Sequence, residues 1–158
     1  MRNKHNIWVV VADGAHARFL APDENLHGLQ PAGPVELKAT EEGHHSRDLK
    51  SDRPGRTFGS SGTGVRHTIE PKHDYHKMEK HKFTAEIAEV LDHAALRNEF
   101  DSLILVAPSR SLGEFRELVS KHVKDRLKHE VHKDLIKTPL HELWEMVEPA
   151  VKSILVQI

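Results

Sequence analysis

"NIWVVVADGAHARFL", residues 6–20, opens with an unbroken apolar run from Ile7 to Ala12, breaks at Asp13-Gly14, and resumes with Ala15, Ala17 and Phe19 at alternate positions. A continuous Val/Ile-rich run suits a strand covered on both faces, Asp-Gly is a strong hairpin signal, and alternation suits a second strand. The stretch predicts a buried strand, a turn and a returning strand. "FDSLILVAP", residues 100–108, repeats the continuous pattern and stops at a proline. Between them Phe83, Ile87, Val90, Leu91, Ala94 and Ala95 recur at helical spacing, which predicts an amphipathic helix from Tyr75 to Phe100. "SLGEFRELVSKHV", residues 111–123, predicts a further helix with Ser111 as its N-cap, and "KHEVHKDL", residues 128–135, a last strand. Thr138 caps a final helix with Pro139 at its first position and Leu140, Leu143, Trp144, Val147 and Val151 on the apolar face. From Ala21 to Ala39 proline and glycine mark loop, with an edge strand in "PVELKA", residues 34–39. Buried strands alternating with helices imply an α/β fold, a single-domain sandwich in which helices cover a mixed central β-sheet.

A length of 158 residues suits one core, so one domain is expected over 1–158. Lys and Arg number 23 against 24 Asp and Glu, a net charge of -1 that pulls toward no polyanion. Electrostatic arguments therefore rest on where the charges sit, and the 14 histidines would turn the molecule positive near pH 6. The absence of cysteine excludes disulfides, thiolate metal sites and cysteine nucleophiles, and favours a reducing compartment, so a cytoplasmic location is expected. The apolar run Ile7–Ala12 is too short for a signal peptide or a membrane span.

From Thr40 to about Asp74 the chain is polar and shows no sustained periodicity, the length at which loops inside compact domains are usually functional or disordered. Its core is "SDRPGRTFGSSGTGVRHTIEP", residues 51–71. "GSSGTG", residues 59–64, lacks the Gly-Lys-Ser/Thr ending of a nucleotide P-loop and the preceding strand of a dinucleotide loop. Gly55, Gly59, Gly62 and Gly64 allow close backbone approach, and Arg53, Arg56, Arg66 and His67 offer forked, charge-assisted contacts to phosphate, with RNA backbone one natural partner. The same residues equally describe a solvated loop whose arginines pair with Asp52 and Glu70.

The candidates for catalysis are Ser60 and Ser61, hydroxyl nucleophiles that need a base such as His67, and Asp13, which stands either as a carboxylate at a strand end or as an ordinary turn residue. His44 and His45, with a carboxylate from Asp13, Asp48, Asp52 or Asp74, are the metal-ligand candidates; His73 with His76, His81, and His129 with His132 add imidazoles without a fixed spacing, and solvated surface histidines are the alternative. A second basic stretch, residues 121–134, carries Lys121, Lys124, Arg126, Lys128 and Lys133, readable as a solvated face or as a polyanion footprint.

Four stretches taken in order, "WVVVADGAHARFL", "SDRPGRTFGSSGTGVRHTIEP", "LILVAPSRSLGEFRE" at 103–117 and "EVHKDLIKTP" at 130–139, resemble the bacterial family of host attachment proteins, described as required for attachment to host cells. That family is similar in turn to the middle domain of the class-one release factor of archaea and eukaryotes, which implies a ribonuclease H-like sandwich. There a Gly-Gly-Gln loop precedes a long helix and reaches the ribosomal centre where peptidyl-tRNA is hydrolysed. Here "GSSGTG" stands before the helix in a similar order but has no glutamine, and the chain's glutamines are Gln30 and Gln157 alone.

The resemblance implies a cytoplasmic factor contacting the ribosome or structured RNA through Arg53, Arg56 and Arg66. No cofactor and no chemistry of its own are expected, and any role in attachment is indirect. Two rivals stand beside it. One is a hydrolase of a phosphate or ester bond using Asp13, Ser60 or Ser61, and His67, with a metal on His44 and His45. The other is an interaction module that docks a protein partner on the final helix through Trp144 and Met146.

Overall fold

All six residues of β1 (Ile7–Ala12) are buried, because alternate side chains serve two different cores. Trp8, Val10 and Ala12 join the cluster on one face, while Ile7, Val9 and Val11 join the cluster on the other. The computed structural model describes residues 5–38 and 72–158, with backbone alone at 35, 36 and 72–81. Beside β1 lie β2 (His16–Pro22) and then β3 (Leu29–Lys38) on one side, and β4 (Ser102–Ala107) and then β5 (Leu127–His132) on the other. The five-stranded sheet runs β3-β2-β1-β4-β5, antiparallel through β3, β2 and β1 and parallel through β1, β4 and β5. This is the expected mixed sheet between helical layers.

Helices α1 (Lys72–Leu96), α2 (Ser109–Leu118) and α3 (Lys121–Arg126) cover the Trp8 face, and α4 (Leu140–Gln157) covers the other with Leu143, Trp144, Val147, Val151 and Ile154. Burial on both faces explains the unbroken apolar character of β1 and β4. The edge strands differ: β5 is only partly buried, and β3 carries Pro31 and Pro34, whose missing N–H groups are tolerated at an edge.

Several expectations need correction. The strand expected only at 34–39 begins at Leu29, and the register jumps from Arg18 opposite Glu36 to Leu20 opposite Pro31, so residues 32–35 bulge out of the ladder. The long helix starts at Lys72, inside the loop expected to reach Asp74, and stops at Leu96 rather than Phe100. It stops because Asn98 adopts a left-handed φ of 58° and its neighbour Glu99 returns its N–H to the Ala94 carbonyl at 2.9 Å. Phe100 is thereby freed to stack on Trp8 with ring centroids 5.0 Å apart.

The expected helix over 111–123 is two helices. Ser111 is not a cap but a buried residue inside α2, whose cap position is Pro108. The chain is extended at Val119 and Ser120, and the Ser120 N–H donates to Asp92 Oδ1 of α1 at 3.0 Å, which holds the break. At the last helix the cap is Pro139, with no side-chain cap, and the Thr138 carbonyl instead accepts a hydrogen bond from Arg18. Trp144 is 7% exposed and packs in the core, so it forms no surface patch with the exposed Met146.

Candidate functional site

The carboxyl ends of the parallel strands β1, β4 and β5 share one edge of the sheet, the place where open α/β sheets admit ligands. The β1–β2 turn forms this edge. Asp13 Oδ1 accepts the backbone N–H groups of Ala15 at 2.8 Å and His16 at 2.7 Å, and the Asp13 N–H donates to the His16 carbonyl at 2.9 Å. That oxygen is committed to turn chemistry, with the His16 imidazole 3.6 Å away.

A crevice of ≈ 500 Å³ opens beside the turn, lined by Asp13, Thr84, Arg110, Ser111, Glu114 and Asp134 together with Gly14, Ala15 and Pro108. Element ends place four of them: Asp13 follows β1, Arg110 and Ser111 begin α2 after β4, and Asp134 follows β5. Thr84 of α1 donates its hydroxyl to Glu114 Oε1 at 3.2 Å, which ties the two helices across the opening. Among the described residues the lining is acidic, with three carboxylates against one guanidinium. Where β4 and β5 end, Ser109 Oγ lies 3.4 Å from His132 Nδ1, and His132 lies 3.4 Å from Glu130.

Glu130 in turn is held by the Arg116 guanidinium in a two-pronged contact, with Nε to Oε2 at 3.1 Å. The Arg116 hydrogen bond holds the Glu130 carboxyl below the usual carboxylate range, against the opposing effect of its partial burial, and His132 pulls the same way as Arg116. The same contact raises the Arg116 guanidinium.

Lys38, the last described residue before segment 39–71, also lies at this edge. Lys38, the last residue of β3, stands opposite His16 in the register, and Thr84 of α1 lines the crevice. Residues 72–83 precede that point on the helix, so at about 1.5 Å per residue α1 begins about 18 Å further along its axis. Arg53, Gly55, Arg56, Gly59, Ser60, Ser61, Gly62, Gly64, Arg66 and His67, and the candidate ligands His44 and His45, all lie outside the described residues. Among the described residues no three histidine, aspartate or glutamate side chains converge as a metal centre requires.

The second basic stretch is largely engaged in structure. Arg126 donates to the carbonyls of Phe100 and His122 and to Asn98 Oδ1, Lys121 pairs with Asp125, and Lys128 donates to the Asp125 carbonyl. Sequence reasoning did not select Arg110, Glu114 and Asp134. Their signal was positional: each lies just past a strand or in the first turns of the helix after it.

Residues 8–147 match the family described as "Protein required for attachment to host cells". The chain belongs to that family. No curated protein matches the sequence. Among solved structures, the crystal structure of an archaeal translation termination factor aligns over 96% of this chain and 40% of its own, at a TM-score of 0.47 and 12% identity. This member of the host attachment family therefore spans less than half the length of that protein. Among its described residues no helix is long and apolar enough to cross a membrane.

Proposed function

We propose that this member of the host attachment family binds RNA, in the context of the ribosome, through the arginines and glycines of residues 51–71, and that its part in attachment to host cells is indirect. The observation that supports the reading is the position of Lys38, the last described residue before segment 39–71, opposite His16 at the end of the sheet where the parallel strands end. The sequence of that segment offers Arg53, Arg56, Arg66 and His67 for contacts to phosphate and glycines that permit close backbone approach. The hydrolase alternative draws on Asp13 among the described residues, and Asp13 Oδ1 is taken up by two backbone N–H groups.

The experiment is co-sedimentation of the protein with ribosomes across a salt series, comparing wild type with the Arg53→Ala, Arg56→Ala, Arg66→Ala triple variant. Phosphate contacts predict binding that weakens steeply as salt rises and is lost in the variant. No co-sedimentation at low salt would overturn the reading.

A further inference from the structure

Ala107, the last residue of β4, pairs with His132, the last residue of β5, and two positions earlier Leu105 pairs with Glu130. Alternation along a strand turns Glu130 and His132 to the same face of the sheet. It is the face of Leu103, Leu105 and Ala107, which α1, α2 and α3 cover. Pro108 alone separates the end of β4 from the start of α2 at Ser109. We infer that Ser109, His132 and Glu130 form a serine hydrolase site for carboxylic esters, with Ser109 the nucleophile, His132 its base and Glu130 the residue that positions the imidazole. None of residues 51–71 enters this site, so the inference stands or falls apart from the RNA reading.

The three side chains follow in line. Ser109 Oγ lies 3.4 Å from His132 Nδ1, and Glu130 Oε1 lies 3.4 Å from Nε2 on the other side of the ring. That is the arrangement of nucleophile, base and orienting group that activates a hydroxyl. With the imidazole proton on Nε2, beside the carboxylate, Nδ1 accepts the Ser109 hydroxyl. Proton transfer works at about 2.6–3.2 Å, and contacts of this kind tighten when substrate binds.

Glu130 is clamped. Arg116 Nε donates to its Oε2 at 3.1 Å and Arg116 Nη2 to its Oε1. The Arg116 hydrogen bond keeps the carboxyl ionised, below its usual range. A carboxylate held in that state stabilises the imidazolium that forms when His132 takes the serine proton. A solvated serine beside a solvated histidine needs no third group, and here the third group is fixed in place by a fourth. Ser109 and His132 are themselves exposed, so substrate reaches them from solvent.

Charge selects the substrate. The acidic crevice is lined by Pro108 and Arg110, the chain neighbours of Ser109, and by Asp134, two residues beyond His132. Carboxylates there disfavour an anionic phosphate ester and suit an uncharged carboxylic ester. Ser109 Oγ attacks the carbonyl carbon as its proton passes to His132 Nδ1 and the carbonyl electron pair moves onto oxygen. The first turn of α2 points N–H groups and the positive end of its dipole toward the nucleophile, where the oxyanion develops. Collapse breaks the bond to the leaving oxygen, which takes the proton from His132 and departs as the alcohol. Water then attacks the acyl-serine and gives a proton to His132. Collapse releases the carboxylic acid, and the proton returns to Ser109.

The test treats the full chain with a fluorophosphonate, which phosphonylates an activated serine with loss of fluoride, and locates the adduct by peptide mass spectrometry. Hydrolysis of p-nitrophenyl acetate, less the rate of Ser109→Ala, gives kcat and KM; the subtraction removes direct reaction of the ester with the 14 histidines. Ser109→Ala and His132→Ala replace exposed side chains, and their thermal midpoints check that the fold is kept. The expected result is an adduct on Ser109 that forms at least about 100-fold more slowly in His132→Ala. Glu130→Gln should lower kcat by about tenfold with KM unchanged, and Glu130→Asp should recover part of the loss, a split that a merely structural contact does not produce. No adduct on Ser109, or one that forms as fast in His132→Ala, would overturn the inference. An unchanged kcat in Glu130→Gln would overturn the role of the carboxylate.

Discussion

Gly33 lies so close to Trp8 that a β-carbon at position 33 would sit 2.6 Å from the indole Cη2. The bulge at residues 32–35 brings Gly33 there at a φ of 53°, and Trp8 is pinned on its other contacts by Phe100 and, edge-on at 6.1 Å, by Phe19. Gly33→Ala therefore combines overpacking against a held ring with a left-handed backbone, and is expected to cost about 1–3 kcal/mol in urea unfolding. A loss below about 0.5 kcal/mol would mean that the indole moves aside freely.

Ser120 has a buried hydroxyl that finds no partner among the described residues, while its N–H is taken by Asp92. Removing an unsatisfied buried oxygen relieves a desolvation penalty. Ser120→Ala should leave stability unchanged or raise it, whereas Asp92→Ala, which orphans the N–H at the α2–α3 break, should lower it by about 1–3 kcal/mol. Chemical denaturation of the two variants measures the opposite signs directly.

Glu130 links α2 to the edge strand β5 through Arg116, and its carboxyl is held below its ordinary value of 4.5. A carboxyl depressed in the folded state contributes stability above the unfolded value, and that contribution disappears as pH falls through the lower folded value. Unfolding midpoints measured from neutral pH downward should therefore fall below about pH 4.5, and Glu130→Gln should flatten that part of the curve. An identical acid limb in the variant would remove the pair from the account of acid stability.

Pro149 lies exposed inside α4, where it has no N–H to return to the carbonyl four residues earlier. Pro149→Ala restores that bond and should raise the thermal midpoint, by a free energy of about 1 kcal/mol or more. A lower midpoint would show that proline shapes the helix for its packing on the sheet.

Asp13 serves the β1–β2 turn through two backbone hydrogen bonds. Asp13→Ala should cost about 1–2 kcal/mol of stability and Asp13→Asn, which keeps the acceptor, much less. RNA affinity should be the same in wild type and Asp13→Asn, measured by the salt-series binding assay. A loss of binding or of an activity in Asp13→Asn would return this residue to the functional machinery.

Periodicity alone determined the elements that bury a complete stripe. Ile7–Ala12 and Ser102–Ala107 read as doubly covered strands because every side chain in them is apolar or small, and Phe83, Ile87 and Leu91 read as a helix face because helical spacing puts them together. The Asp13-Gly14 turn was legible because its chemistry is local. Tertiary structure decided whatever depends on a partner distant in the chain: the break at Ser120 needs Asp92 of α1, the cap position at Pro139 goes with Arg18 taking the Thr138 carbonyl, and the bulge around Gly33 needs the width of Trp8. The acidic crevice was invisible for the same reason: Asp13, Arg110, Glu114 and Asp134 share no spacing in sequence and meet because the ends of β1 and β5 and the start of the helix after β4 converge at one end of the sheet.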